Sequence, residues 1–324
     1  MATYIEIQHT EKSKIDTIDF DNLPFGSVFS DHMLECDFIN GAWQTPVIKA
    51  YSPISLDPAS KIFHYGQSIF EGMKAYKDAA QNTLLFRPLE NLKRLNKSAE
   101  RLMIPAIPEA IFMDGLRKLL EIDNQWIPTN EGSSLYIRPF MFASGNGFHA
   151  SPADAYKFVI CTAPSGAYFA GKVKVLIEEK YARAANGGVG FAKAGGNYAA
   201  QFYPTQLAIE KGYNQVIWTD DNSHQYIEEA GGSDIRALVI GKIRINDTLI
   251  TSPTSDRILD GITRKSIIQL SEDLNITMEV RKITVSEVVA AAESGTLLEM
   301  FGAGTAAVIS PIAGFGYQNT DYDL

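Results

Sequence analysis

Residues 187–201 read GGVGFAKAGGNYAAQ, and the single lysine of this stretch is the most informative residue in the chain. Lys193 lies between two glycine-rich flanks, with Ala192 and Ala194 beside it. Small neighbours let a flat ring approach the backbone, and glycines permit the turns that such an approach requires. A lysine amine in a low-dielectric setting can form a Schiff base with a carbonyl compound. An exposed lysine in a flexible loop would look similar, so the stretch alone leaves both interpretations open.

Two known glycine motifs do not explain the stretch. A phosphate-binding P-loop requires Gly-Lys followed by Ser or Thr, whereas Lys193 follows one alanine and precedes another. The dinucleotide pattern G-x-G-x-x-A occurs once, from Gly302 to Ala307, but only 17 residues follow it. That length is too short for the helix, strand and acidic residue that a dinucleotide site needs. A nicotinamide oxidoreductase is therefore disfavoured.

Composition is that of an ordinary globular protein. The chain has 324 residues, of which 45% are hydrophobic and 21% are charged, and its length favours two domains. A formal net charge of −9 argues against nucleic acid as the main partner. Cys36 and Cys161 lie far apart, which predicts a reduced, cytoplasmic protein. The five histidines have no metal-binding or catalytic-triad spacing, so we expect no metal.

No segment predicts secretion or membrane insertion. The first residues lack a basic region followed by an apolar region, so we expect no signal peptide. Residues 300–317, MFGAGTAAVISPIAGFGY, carry no charge but are rich in Gly, Ser and Thr. This composition favours buried backbone in a core over a membrane span.

Periodicity predicts helices and strands in both halves of the chain. Apolar residues recur at helical spacing over 89–103 and 108–122, whereas 133–143 and 157–163 read as strands. In the second half, helices are predicted over 205–212, ending at Gly212, and over 286–295, with Ser286 as N-cap and Gly295 as C-cap. Further strands are predicted at 172–179, 214–220, 236–240 and 278–285.

Alternation of these elements predicts a mixed α/β fold with two domains. We expect a smaller N-terminal domain over 1–164, a connector over 165–177 and a larger C-terminal domain over 178–324.

Several separated motifs, in order, resemble the branched-chain amino acid aminotransferases, a family of fold-type IV enzymes that depend on pyridoxal phosphate (PLP). The resemblance covers nearly the whole chain. Its motifs are FHYGQSIFEGMKAY (63–76), LFRPLENLKRL (85–95), SLYIRP (134–139), GAYF (166–169), GGVGFAKAGGNY (187–198), GYNQVIWTDDNSHQYIEEAG (212–231), ILDGITRKS (258–266) and FGAGTAA (301–307).

The resemblance implies a fold, a reaction and a partner. The fold would be a small α/β domain and a large cofactor domain with a barrel-like sheet. The reaction would be reversible transfer of an amino group from leucine, isoleucine or valine to 2-oxoglutarate, by a ping-pong route through the aminated cofactor. Family members are homodimers, so we expect a homodimer that binds small molecules and neither nucleic acid nor membrane.

The resemblance also assigns the catalytic centre. Lys193 would bind PLP as a Schiff base and then move protons as acid and base. Glu229 would pair with the pyridine nitrogen and favour the protonated ring. Glu228 competes for this role, but neighbouring side chains on an extended segment point to opposite faces, and the family's Glu-x-Gly pattern selects Glu229.

Other cofactor contacts follow from the same matches. Arg94 would bind the cofactor phosphate through its planar fork. The helix predicted to begin near Gly261 would offer its N-terminal N–H groups to the phosphate. The full set of cofactor-binding residues would be Arg94, Arg183, Lys193, Tyr198, Glu229, Ile262, Thr263 and Thr305.

Substrate contacts would come from aromatic residues and two polar groups. Large aromatic side chains build an apolar pocket suited to branched aliphatic side chains. Arg138 lies two residues beyond Tyr136, so the two share a face if the segment is a strand, and Arg138 would receive the second carboxylate of glutamate. The set would be Tyr65, Phe70, Tyr136, Arg138, Tyr168 and the backbone N–H of Ala306.

The chain departs from the family pattern in a few places. Gly232 stands where many relatives have threonine, Asp234 where they have Asn and Asp260 where they have Pro. An aspartate beside a phosphate site is unfavourable unless it points away. Relatives continue beyond the position of Leu324, so we expect either a naturally short chain or a truncated one. The alternatives are a D-amino acid aminotransferase, an aminodeoxychorismate lyase, or a cofactor-binding protein without turnover.

Overall fold

The computed structural model describes residues 3–166, 173–230, 240–306 and 308–324. These residues form two units, each with its own sheet and core. The first contains the residues up to 166 together with Ala192–Gly195, and the second contains 173–191 and the described residues from Gly196 onward. Both units combine helices with a sheet, so the predicted mixed α/β fold is confirmed.

Seven α-helices lie in the described chain. Those over Pro88–Arg101 and Glu109–Ile122 match the two that apolar periodicity predicts. The complete set is α1 Lys61–Tyr65, α2 Pro88–Arg101, α3 Glu109–Ile122, α4 Gly195–Ala199, α5 Phe202–Glu210, α6 Ile262–Asp273 and α7 Val285–Glu293, with short 3₁₀ turns at Ile15–Thr17 and Asn124–Trp126.

A nine-stranded sheet forms the frame of the first unit, counted over the described residues. Its strands are β1 Glu6–Ile7, β2 His32–Ile39, β3 Ala42–Trp43, β4 Val47–Ala50, β5 Ser68–Phe70, β6 Met73–Lys77, β7 Thr83–Leu85, β8 Ser134–Ala143 and β9 Tyr156–Ser165. The main path runs β1-β4-β2-β9-β8-β6-β7, while β3 pairs with β2 and β5 with β8. Only the β1–β4 pairing is parallel among these.

The core of the first unit forms where the apolar stripes of α2 and α3 meet the sheet. Leu95 of α2 and Leu116 of α3 are fully buried, as is Leu34 of β2. A Cβ atom at Gly115 would overlap the Leu34 side chain, so this glycine lets α3 lie close to β2. Helix-spaced apolar residues therefore fix both helices on one face of the sheet.

The segment that contains Lys193 packs with the first unit. Sequence had assigned it to the larger C-terminal domain, after the connector. In the structure, Phe70 N–H donates to the Lys193 carbonyl at 3.0 Å, and Ile69 forms an isolated bridge with Ala194. These main-chain contacts form because the small neighbours of Lys193 leave its backbone open to β5, a long-range pairing that local periodicity does not reveal.

A second sheet frames the second unit. Its strands are β10 Val173–Ile177, β11 Gln215–Thr219, β12 Tyr226–Ala230, β13 Ile240–Ile245, β14 Thr248–Thr251, β15 Met278–Val280, β16 Ile283–Thr284, β17 Leu297–Gly304, β18 Val308–Tyr317 and β19 Thr320–Asp323. Their order is β15-β14-β13-β17-β18-β10-β11-β12-β16, with β19 on β18. Parallel pairings join β10 to β11 and to β18, and β14 to β15.

Strand β11 is buried on both faces, which explains its unbroken apolar run. Val216 and Trp218 pack with Ala208 of α5, whereas Ile217 faces the larger cluster that contains Val288 of α7. Because side chains alternate along a strand, consecutive residues of β11 contribute to two different clusters.

Several sequence expectations are refined by the structure. The N-cap of α7 is Thr284, whose Oγ1 accepts the Glu287 N–H at 3.0 Å, so the assignment of Ser286 was wrong. Residues 278–285 form two short strands and the start of α7, not one strand. The strand predicted at 236–240 lies outside the described residues except for its last residue.

The uncharged run 300–317 supplies paired strands. Its residues belong to β17 and β18, which form an antiparallel pair with Met300 opposite Ile312. Within the described parts of the chain, no helix has both the length and the apolar composition needed to cross a membrane.

Removing the Leu34 side chain should test the α3–β2 packing. Leu34→Ala should lower the free energy of unfolding by about 2–5 kcal/mol, because a buried side chain is lost and a cavity remains. Leu84→Ala, at a half-exposed position of β7, is the matched control and should change it by about 0.5 kcal/mol or less. Urea denaturation followed by circular dichroism measures both. Equal losses in the two variants would contradict this account of the core.

Candidate active site

One face of β8 carries the aromatic and cationic residues of the first unit. Leu135, Ile137 and Met141 alternate into the core, so Tyr136 and Arg138 project from the other face. Arg138 Nη2 donates to the Tyr136 hydroxyl at 3.0 Å, which confirms that the two share a face. Phe70 of β5 lies opposite Phe140 of β8, and the Arg138 guanidinium lies 4.7 Å from the Phe70 ring centroid.

The hydroxyl of Tyr136 lies against Gly72. A Cβ atom at this position would overlap the tyrosine oxygen, so only glycine leaves the Tyr136 ring in its place. Phe25 also packs edge-on against Tyr136, with ring centroids 5.0 Å apart. The face therefore holds a cluster of Phe25, Phe70, Gly72, Tyr136 and Arg138.

Lys193 lies beside this cluster and is half-buried. Its Nζ is 4.6 Å from the centroid of the Phe70 ring, within the range of a cation–π interaction. Its backbone is held at both ends, because its carbonyl accepts from Phe70 N–H and its own N–H donates to Ser98 Oγ at 2.9 Å. The lysine that sequence singles out is therefore fixed in the main chain and lies on an aromatic face.

A fully buried carboxylate lies next in the chain to Phe70. Glu71 accepts from Arg94 Nε at 2.7 Å and from Arg94 Nη2 at 2.9 Å, a two-point ion pair. Asn91, one helical turn before Arg94 on α2, donates to Glu71 Oε2 at 2.7 Å. Arg94 is thus buried and oriented by Glu71, whereas its match to the family had indicated only a contact with phosphate.

The charge state of Glu71 is set by opposing effects. Burial raises the pKa of the Glu71 carboxyl. The charge and hydrogen bonds of Arg94, the charge of Lys193 and the hydrogen bond from Asn91 all lower it. These lowering effects prevail, so the pKa of Glu71 falls below its usual range. Glu71 is therefore a buried anion at neutral pH.

Tyr65, a predicted substrate residue, makes its described contacts outside this cluster. Tyr65 ends α1, is 42% exposed, and its hydroxyl donates to the carbonyl of Phe148. His64, beside it, packs edge-on against the Phe148 ring. Tyr168, Gly232 and Asp234 lie outside the described residues.

In the second unit, two adjacent glutamates point to opposite sides of β12. Glu228 accepts from Arg257 Nε at 2.6 Å, whereas the Glu229 carboxylate accepts the Leu259 N–H at 3.0 Å and lies 3.2 Å from Arg183 Nη1. This confirms the expected alternation. Only 4% of Glu229 is exposed, so its charge is shielded from water and balanced by Arg183.

Arg183 is itself held by main-chain oxygens. Its Nη1 donates to the Arg257 carbonyl at 2.6 Å, and both terminal nitrogens lie 3.2 Å from the Gly190 carbonyl. A Cβ atom at Gly190 would come within 2.7 Å of the Arg257 backbone, so a glycine is needed for this approach. The contacts of Arg183 orient the Glu229 carboxylate.

Helix α6 begins where sequence places a phosphate site. Its N-cap is Gly261, and no side chain caps the first turn, which leaves the N–H groups of Ile262 and Thr263 at the helix end. Asp260 pairs with Lys265 at 2.8 Å, which offsets the negative charge beside this helix terminus.

The remaining predicted positions lie at half-buried sites in the second unit. Thr305 and Ala306 form the turn between β17 and β18, and Tyr198 lies in α4. Asn197, next to Tyr198, is buried and anchors α4 to the Val189 carbonyl at 2.8 Å.

The donor set fits a flat, phosphate-bearing aldehyde cofactor. Taken separately, the two units supply groups of the kind that PLP requires: the first has a fixed amine and a buried arginine, and the second has a buried carboxylate balanced by an arginine and a helix N-terminus. Residues that sequence missed are Glu71, Asn91, Ser98 and Lys74. The first three are polar residues at buried positions, and only the long-range contacts above reveal them.

Lys74 is the fourth missed residue. It lies directly opposite Tyr136 in the β6–β8 pairing and is 8% exposed. Burial lowers the pKa of the Lys74 amine to about 8. The available sequence signal was the position of Lys74 between two apolar residues, Met73 and Ala75, which are buried as well.

The sequence and the fold have counterparts in known proteins. The chain belongs to the amino-transferase class IV family, whose profile matches residues 68–314.

Individual relatives carry a narrower name. A Staphylococcus aureus protein named "Probable branched-chain-amino-acid aminotransferase" is 42% identical over 99% of this chain and 88% of its own length. The "Branched-chain-amino-acid aminotransferase 2" of Bacillus subtilis is 42% identical over 97% of this chain and 85% of its own. The crystal structure of the Escherichia coli branched-chain amino acid aminotransferase is similar with a TM-score of 0.70 and 26% identity, covering 88% of this chain and 86% of that chain.

The buried amine of Lys74 predicts a pH-dependent stability. Its folded pKa of about 8 lies below the ordinary value of 10.5, so between these values the unfolded chain binds more protons and stability rises with pH. The unfolding free energy of the wild type, minus that of Lys74→Met, should rise by about 2 kcal/mol from pH 7.5 to pH 10. Lys93→Met, at an exposed position, should show no such trend. Urea denaturation at each pH measures it, and a flat difference for Lys74→Met would refute the burial effect.

Proposed function

We propose that this protein is a PLP-dependent branched-chain amino acid aminotransferase, which transfers the amino group of leucine, isoleucine or valine to 2-oxoglutarate. Family membership supports amino transfer, and the names of the relatives supply the substrate class.

One observation in this chain carries the proposal. The Lys193 amine, the Phe70 ring and the Arg138 guanidinium lie together, with Phe70 within 5 Å of both cations. Tyr136 extends the apolar wall beside them. The proposed reaction demands three features. It needs an amine for the cofactor, an aromatic wall for the aliphatic side chain of the amino acid, and a cation for the second carboxylate of 2-oxoglutarate.

Lys193 would transfer the proton, and Glu229 would support the ring of the cofactor. When bound, PLP supplies an aldehyde and an electron-withdrawing ring that accepts the electron pair left on the substrate carbon. Lys193 Nζ would take the proton from the substrate α-carbon and would deliver it to the carbon of the cofactor's aldehyde group, so that one carbon loses the proton and the other gains it. Glu229, paired with Arg183, would hold the pyridine nitrogen of the cofactor and would favour its protonated form.

Phosphate binding would use the groups that suit an anion. Arg94, already oriented by Glu71, offers a planar fork of donors. Ile262 and Thr263 offer N–H groups at the start of α6, and Thr305 offers a hydroxyl. Tyr198 would donate to the phenolic oxygen of the cofactor.

Substrate selection would combine the aromatic cluster with polar groups. Phe70, Tyr136 and Tyr65 would surround the side chain, and the Ala306 N–H would bind the substrate carboxylate. Among the described residues, Arg138 Nε is buried without a hydrogen-bond partner. A buried donor of this kind suits the distal carboxylate of 2-oxoglutarate.

Substitution of Lys193 and of Glu229 tests the reaction. With leucine and 2-oxoglutarate, Lys193→Ala should lower kcat by at least about 1000-fold and Glu229→Gln by at least about 100-fold, because each removes a proton-transfer or charge function. Glutamate formation followed by a coupled assay measures both.

Glu228→Gln is the matched control, since it removes the adjacent carboxylate on the opposite side of β12. Its kcat should stay within about threefold of wild type, far from the loss expected for a general acid–base group. Equal losses at positions 228 and 229, undiminished turnover in Lys193→Ala, or turnover of D-alanine in place of L-leucine would overturn the proposal.

We also propose a homodimer in the cytoplasm. Burial raises the pKa of the Cys36 and Cys161 thiols to about 12, so both stay unreactive thiols, as suits a reducing compartment. Phe63 and Phe148 are more than half exposed near Tyr65, an aromatic group that a second copy could cover. Sedimentation velocity should give twice the monomer mass, and a monomer at micromolar concentration would contradict the dimer.

A further inference from the structure

The Glu71–Arg94 pair lies at the two points where the backbone of Lys193 is held. Phe70, which donates to the Lys193 carbonyl, directly precedes Glu71. Ser98, which accepts from the Lys193 N–H, donates its own hydroxyl proton to the Arg94 carbonyl at 2.9 Å. Each of these two hydrogen bonds to the Lys193 backbone therefore runs to a residue that is adjacent to, or hydrogen-bonded to, one member of the pair.

The pair is rigid on both sides. Glu71 N–H donates to the Pro139 carbonyl at 2.7 Å, which ties the residue to β8. Asn91 and Arg94 are both buried on the same side of α2, and both donate to the Glu71 carboxylate. A two-point arginine–carboxylate pair with a third donor has little freedom to rotate.

The carboxylate of Glu71 also acts on the charge of Lys193. The two groups attract each other, since the Lys193 charge is among those that stabilise the ionised Glu71. Such attraction is reciprocal, so loss of the Glu71 charge also removes a favourable interaction of Lys193. Low exposure around Glu71 keeps this interaction from being screened by water.

We propose that Glu71 is a positioning residue for Lys193: through Arg94, Ser98 and Phe70 it fixes the lysine backbone, and through its negative charge it attracts the Lys193 nitrogen. Glu71 touches neither substrate nor cofactor in this role. The proposal rests on the proposed function, in that it concerns the lysine to which the cofactor binds.

The test measures the colour of the PLP-loaded full-length protein as a function of pH. The visible band should change when the Lys193 nitrogen loses its proton, and the midpoint of that change is a property of the loaded protein that does not depend on turnover. In Glu71→Gln, which keeps the shape and removes the charge, the midpoint should fall by about one pH unit or more. Glu71→Asp retains the charge at a greater distance and should give a smaller fall.

Asp123→Asn is the matched control. Asp123 is a buried carboxylate of the same unit, and it pairs with His32 at 2.7 Å. Its loss removes a buried charge of the same kind, yet the midpoint should stay within about 0.2 pH units of wild type, because the His32 pair is separate from the Lys193 contacts.

Each outcome has a defined meaning. A midpoint in Glu71→Gln equal to that of wild type, or an equal fall in Asp123→Asn, overturns the positioning role. If Glu71→Gln does not fold, Glu71→Asp decides, and a midpoint unchanged from wild type overturns the role. Two results would overturn the proposed function instead: a wild-type protein that shows no visible band with PLP, or a visible band that borohydride does not remove.

Discussion

Main-chain hydrogen bonding of Lys193 is the constraint on which the rest of the site depends. Lys193 has an alanine on each side, so its immediate neighbours offer no large side chain as an anchor. Its position therefore comes from its own backbone, which bonds to Phe70 on one side and to Ser98 on the other. The small residues that look like a flexible loop are what allow a strand and a helix to reach the main chain.

Each unit also contains a buried arginine–glutamate pair near the residues proposed for chemistry. Glu71 pairs with Arg94 in the first unit, and Arg183 lies against Glu229 in the second. Burying an ion pair is a poor route to stability, because the desolvation of both charges offsets their attraction. Such pairs do hold planar groups in one orientation, and orientation is what a bound aromatic cofactor and its phosphate require.

Local periodicity predicted part of this architecture from sequence. The strand period placed Tyr136 and Arg138 on one face and separated Glu228 from Glu229, since both conclusions depend only on neighbours along the chain. Helices α2 and α3 followed from apolar spacing for the same reason. Contacts between residues that are distant in the chain follow no such period. Examples are the approach of Gly115 to Leu34 and the pairing of Lys74 with Tyr136.

Two residues that sequence missed, Asn91 and Ser98, lie on α2 on either side of the predicted Arg94. Asn91, Arg94 and Ser98 are polar and recur at helical spacing on α2, a pattern normally typical of a solvent-facing helix side. Here that side is buried, because Glu71 lies beneath it and satisfies the donors of Asn91 and Arg94. A polar helix face becomes interior only when a charged partner arrives from elsewhere in the chain. The identity of that partner is decided by the β5–β8 pairing, which carries Phe70 toward the site and leaves the next residue, Glu71, in contact with the helix.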